Sequence, residues 1–226
     1  MEQEQHHHLV FENAYVRVFY VEIAAHESTL YHRHAFPYLS LAPPAMPDAP
    51  AQAGGPNEQT ASSVAPVSYA PGGFSHAVHN TRDITLRNIA VELLRPQGEL
   101  RNRCQQIVRE QPQHNCVDLK ERDPDSGRLL SSVETLFETD EISVREWEVW
   151  PNVTVTPAAQ SRSSTLVGSM SGVVNVTANG DSRLVPQAGV VWLLAGSRTA
   201  LRTGPNAHGR FIAVVFKDSD SAQASQ

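Results

Sequence analysis

The sequence predicts an all-β protein built as two tandem barrels or sandwiches. Segments rich in β-branched and aromatic residues, "VRVFYVEI", "ITLRNIAVELL", "SVREWEVW" and "RFIAVVF", recur between Pro, Gly, Asn and Asp, which is the signature of short strands separated by turns. No long stretch follows the 3.6-residue period of an amphipathic helix. The pattern also occurs twice: "YVRVFYVEIAAHESTLYHRH" through "ITLRNIAVELL" has a weaker counterpart in "ISVREWEVWPNVTVTPAAQSRSS" through "HGRFIAVVF", each about the size of one small domain.

These limits give a first domain over residues 8–95, a linker over 96–130, a second domain over 131–217 and a frayed polar tail over 218–226. The linker, "RPQGELRNRCQQIVREQPQHNCVDLKERDPDSGRLL", is polar and poor in strand formers, with one short helix expected around Cys104 to Arg109. Its two cysteines, Cys104 and Cys116, are the only two in the chain. They form either one disulfide, in an oxidising compartment, or two reduced thiols. Inside the first repeat, "PPAMPDAPAQAGGPNEQTA" from Pro43 reads as an exposed Pro/Ala/Gly loop, too irregular for a strand.

With 226 residues and a net charge of −6, the chain has sequence enough for two compact cores and lacks the basic surface that binding nucleic acid requires. No apolar run reaches the roughly 20 residues that span a bilayer, and the start, "MEQEQHHHLVFEN", has neither the basic nor the apolar region of an export signal. A soluble protein is expected, in an unassigned compartment; a mature periplasmic or secreted fragment would look the same. Lys120 and Lys217 are the only lysines and neither follows a glycine-rich loop, so Schiff-base and P-loop chemistry are poor fits. "GSMSG" carries Met170 where a nucleophile elbow needs serine.

Histidine is the informative residue. The first repeat holds His8, His26, His32, His34, His76 and His79, whereas the second holds only His208. The run His6, His7, His8 reads either as native sequence or as a tag, and is set aside from the site. In a strand, residues i and i+2 share a face, so His32 and His34 in "LYHRHAFPY" can present two nitrogens to one ion, while Arg33 points away. Alone, that pattern fits a solvated edge strand as well. "PGGFSHAVHN" changes the balance by placing Pro71, Gly73, His76 and Asn80 in the spacing P-x-G-x-x-H-x-x-x-N.

Together these stretches resemble the cupin superfamily, whose motifs run G-x5-H-x-H-x3 or x4-E-x6-G and G-x5-P-x-G-x2-H-x3-N. His32 and His34 match the paired histidines. His26 occupies the first glycine position, Tyr38 falls where the glutamate is expected, and Ala45 replaces the closing glycine. In the second motif Pro71, Gly73, His76 and Asn80 match, with Ala65 at the leading glycine. The phrases "HHLVFENAYVRVF" and "LRNIAVELL" are similar to bacterial two-domain cupins of unassigned activity. The resemblance implies two tandem cupin barrels of the jelly-roll, double-stranded β-helix kind.

It also implies one divalent metal ion held by His32, His34 and His76 in the first barrel, the carboxylate of the usual set being lost at Tyr38. Fe(II) is favoured, and Zn, Mn, Ni and Cu stay open, since imidazole suits all of them. Tyr38 is the candidate catalytic side chain, hydrogen-bonding a metal-bound water or substrate, or else one more aromatic filling the barrel. Asn80 is expected to brace backbone, His79 to be exposed, His26 to sit in a turn, and Glu27 is a weaker alternative ligand. In the second repeat the histidine positions fall on Ala158 to Ser161, and Thr165, Thr199 and Thr203 stand where glutamate, histidine and asparagine would. That half has lost its metal ligands. The implied function is a three-histidine dioxygenase acting on a small chelating substrate. A non-catalytic metal- or ligand-binding module and a Zn, Ni or Mn lyase or isomerase are the alternatives. The expected partner is a small molecule, with a homodimer among the assemblies left open.

Overall fold

In the computed structural model, residues 4–42, 58–60, 67–101, 117–156 and 163–217 are described, and among them there is no helix. None is therefore long and apolar enough to cross a membrane. The chain divides into two compact units at Pro96/Gln97, each built from two sheets.

The first unit holds β1 (His7–Glu12), β2 (Val16–Ile23), β3 (His32–His34), β4 (Tyr38–Leu41), β5 (Glu58–Thr60), β6 (Val67–Ala70), β7 (Phe74–His79) and β8 (Leu86–Leu93). One sheet has the order β1-β2-β8-β4-β6 and the other β3-β7-β5. Every pairing is antiparallel except β5 on β7. In β2 the alternate residues Phe19, Val21 and Ile23 are buried and pack with Ala90 of β8, against Val78 and Leu86. Cross-strand partners lie on the same face of a sheet. The registers His7↔Val21, Phe19↔Ala90, Ser40↔Ala90 and Tyr38↔Glu92 therefore set His7, Tyr38 and Ser40 on the face that carries Phe19 and Val21.

The second unit holds β9 (Val117–Arg122), β10 (Leu129–Glu138), β11 (Ile142–Val149), β12 (Thr154–Val155), β13 (Thr165–Ser171), β14 (Val174–Ala178), β15 (Asp181–Val185), β16 (Val190–Leu193), β17 (Thr199–Thr203) and β18 (Gly209–Phe216). Its sheets run β16-β13-β18-β11-β10-β9 and β12-β17-β14-β15. The interior is apolar, with Val149, Val155, Val167, Val174, Val176, Val191, Leu201 and Phe211 among its buried residues.

Two segments differ from the sequence expectation. Residues 96–130, read as a linker, supply β9 and a bridge from Arg101 to Glu138 to the second unit. β9 is an edge strand rich in charged residues, and Leu119 to Arg122 are all exposed, so that stretch shows no alternation to read. Within the Pro/Ala/Gly loop, Glu58–Thr60 pairs with β7, because backbone pairing at an edge demands no apolar side chain. The helix expected near Cys104, both cysteines, Ala158 to Ser161 and the tail lie outside the described residues.

Candidate metal centre

β3 and β7 are adjacent antiparallel strands in the register His32↔His76, Arg33↔Ser75 and His34↔Phe74. The i, i+2 alternation of β3 sends His32 and His34 to one face, and the register brings His76 onto it. All three are buried, at 8%, 2% and 6% exposure, while Arg33 is exposed. The turn that returns the chain into β7 explains the Pro-Gly-Gly of the motif. A side chain on Gly72 would collide with the backbone of Ala35 and Phe36, and Gly73 has φ +90°, with its N–H donating to the His34 carbonyl at 2.7 Å.

One nitrogen from each of the three imidazoles lies within 4.8 Å of the others. His34 Nε2 and His76 Nε2 are 2.9 Å apart, which suits cis ligands: two nitrogens about 2.1 Å from one ion at right angles lie about 3.0 Å from each other. His32 donates its Nδ1–H to the Leu30 carbonyl at 2.8 Å. That bond fixes the tautomer and leaves the Nε2 lone pair free, and this atom is buried with no partner. The 4.8 Å span exceeds the roughly 4.2 Å that even two opposed ligands of one ion have at such bond lengths, so the rings would have to draw together to share an ion.

Electrostatics favour the same role. Burial, with neighbouring imidazoles adding to it, pushes His34 down to about 2 and His76 to about 4, and burial lowers His32 as well. All three are therefore neutral near pH 7, the protonation state that ligates. The cluster is compatible with a divalent metal ion, and it is made of imidazole alone.

Tyr38 lies against the cluster. Its ring stacks on His34 at 4.3 Å, Phe74 stacks on His34 at 5.1 Å, and Tyr38 and Phe74 are themselves 5.7 Å apart, so the three rings form one aromatic cluster beside the site. Burial pushes the Tyr38 phenol up to about 12, which keeps it a donor. Asn80, wholly buried, donates to the carbonyls of Ile23, Ala24 and Ile84 and accepts from Arg82 N–H. It braces backbone beside β7. His26 occupies a turn with φ 62° and bonds Asp83 at the surface. Glu27 is exposed and stands 3.6 Å from His6 rather than at the cluster. His79, expected to be exposed, is half-buried, and its Nδ1 bonds the Ser28 hydroxyl at 2.7 Å.

Setting aside His6 to His8 concealed part of the site. His7 packs edge-on to His32, ring centres 4.8 Å apart, and Glu4 and His6 are buried beside it. The Glu4 carboxylate accepts from Leu30 N–H at 2.6 Å and from His6 N–H at 3.1 Å, and meets His6 Nδ1 at 2.5 Å. Glu4 thus fixes the residue whose carbonyl orients His32. The signal for His7 was weak: "HHLVFE" is rich in strand formers, but Leu9 and Val10 are both exposed and the register slips between Leu9 and Phe11, so no alternation marks an inward face. Phe74 was legible only through the register of β3 on β7.

No protein-family model and no curated protein matches the sequence. Solved structures do match the fold. The crystal structure of AerE from Microcystis aeruginosa aligns over 94% of this chain and 97% of its own, with TM-score 0.58 and 8% identity. A cupin 2 conserved barrel domain protein from Leptotrichia buccalis covers 93% and 88%, at TM-score 0.52 and 8% identity. The chain has a bicupin fold. A salicylate 1,2-dioxygenase from Pseudaminobacter salicylatoxidans is likewise similar in fold, over 92% of this chain and 75% of that one, at TM-score 0.55 and 10% identity.

Proposed function

We propose that the first barrel is a metal-dependent dioxygenase centre of the bicupin, with His32, His34 and His76 holding one Fe(II). The observation that carries this reading is the convergence of three buried, neutral imidazole nitrogens, with the free Nε2 of His32 turned to the common point by Leu30. When bound, a redox-active divalent ion supplies positions at which a chelating substrate and dioxygen meet and are polarised.

The chain's own residues account for the rest. Three neutral ligands leave the charge of a dication uncompensated, so the site favours a small anionic chelator with two oxygen donors. Tyr38 and Phe74 pack on His34 and line the site with apolar surface that excludes water, and the Tyr38 hydroxyl, kept protonated, would be available as a donor to substrate. The similarity to a salicylate 1,2-dioxygenase supports this choice over lyase or isomerase chemistry, which needs a proton carrier that the imidazole-only cluster does not add.

Untagged protein is analysed for bound metal and then, loaded with Fe(II), tested for oxygen uptake with a panel of chelating hydroxy acids, diketones and thiols. One ion per chain, lost in His76→Ala, and uptake with one compound class are expected. Absence of stoichiometric metal, or metal that persists in His76→Ala, ends the reading; metal without oxygen uptake leaves a binding module.

A further inference from the structure

His7 lies against the three-histidine cluster without belonging to it. Its strand β1 pairs with β2 in the register His7↔Val21, which puts the imidazole on the face that carries Phe19 and Val21. The ring sits edge-on to His32 at 4.8 Å and to Phe19 at 6.2 Å. Its position is fixed from both sides: His7 N–H donates to the Glu4 carbonyl at 3.0 Å, Glu22 N–H donates to the His6 carbonyl at 3.1 Å, and the Glu4 carboxylate clamps Leu30.

This well-held ring has a Nδ1 that is fully buried and has no hydrogen-bond partner. Buried polar atoms are seldom left unpaired, because the desolvation loss is not returned. Among the described residues none partners it, and the nitrogens there that gather closely enough to share an ion are those of His32, His34 and His76. A group brought in from solution would supply the missing partner.

We propose that His7 is a ligand-binding residue of this centre: its Nδ1 hydrogen-bonds an oxygen or small anionic group held at an open coordination position beside His32. The inference rests on the three-histidine metal site proposed above, and it adds a specificity residue supplied by the N-terminal strand rather than by either motif.

The test uses the full chain loaded with Co(II) and titrated with azide, followed by visible absorption, for wild type, His7→Asn, His7→Phe and His76→Ala. Asn places an amide close to where Nδ1 stands, whereas Phe keeps only the ring. His7→Phe is expected to weaken azide about tenfold, and His7→Asn less than about threefold. Co(II) affinity should move less than about twofold in both, since neither change removes a ligating imidazole. Equal azide affinity in wild type and His7→Phe, or no azide binding to the Co(II) form, overturns the proposal and makes His7 packing alone. Loss of Co(II) from His7→Phe as severe as from His76→Ala also overturns it, making His7 a metal ligand. A wild type that takes up no Co(II) at all is a separate result, the failure of the three-histidine site, and removes both readings together.

Discussion

The interiors of the two barrels are made of different material on the same kind of frame. The second is filled by aliphatic side chains and Phe211, packed with Trp147 and Trp150. The first keeps a small apolar cluster of Phe19, Val21, Ile23 and Ala90 and gives the rest of the space to His7, His32, His34, His76, Tyr38 and Phe74. The matched position of the second motif shows the same divergence. Asn80 serves three backbone carbonyls, whereas Thr203 donates only to the Trp150 carbonyl, at 2.8 Å. A barrel that need not hold an ion can exchange polar groups that are costly to bury for close packing. The first barrel instead keeps buried nitrogens without a partner, such as Nε2 of His32, an arrangement compatible with a divalent ion.

The largest effect that tests this contrast is on metal content. His34→Ala should drop bound metal from near one per chain to below about 0.1 after dialysis, while Thr199→Ala in the second barrel leaves it unchanged. Elemental analysis reads both, and metal loss from the threonine variant would erase the division of labour. On stability the order reverses. Leu201→Ala, at a wholly buried site of the apolar interior, should cost about 2–5 kcal/mol in urea unfolding without altering metal content.

The paired bracing residues give a smaller, sharper comparison. Asn80→Ala is expected to cost about 1–3 kcal/mol, because it strips buried carbonyls of their donor, and Thr203→Ala about 1 kcal/mol. Equal losses would mean that Asn80 is no more than a filler.

The subtlest difference is in pH response. Buried His34 and His76 titrate in the folded state at about 2 and about 4, below the 6.5 of the free side chain. Between those values the unfolded chain binds more protons than the folded one, so stability is fully present above pH 6.5 and is lost as pH falls. Metal-free protein should lose about 1 kcal/mol per such imidazole by one pH unit below 6.5. Urea midpoints at pH 7.5 and 5.5 check the sign, and a flat profile would mean that these rings are hydrated.

The strand content, the duplication and the identity of three clustered histidines could all be read in the sequence. Alternation in "VRVFYVEI" and the spacing of "PGGFSHAVHN" are local facts, and local chemistry sets strand propensity and the Gly-dependent turn before β7. β9 and β5 could not be read, since an edge strand held by backbone pairing leaves no hydrophobic period behind.

What tertiary structure alone decided is which side chains meet. Nothing in the spacing of residues 7, 32 and 38 says that His7 abuts His32 or that Tyr38 stacks on His34. Those contacts come from the registers of β1 on β2, β3 on β7 and β4 on β8 and from the closing of two sheets on one interior. Residue type fixes which atoms can bind an ion; pairing and closure, which join segments distant in sequence, fix whether those atoms arrive at a common point.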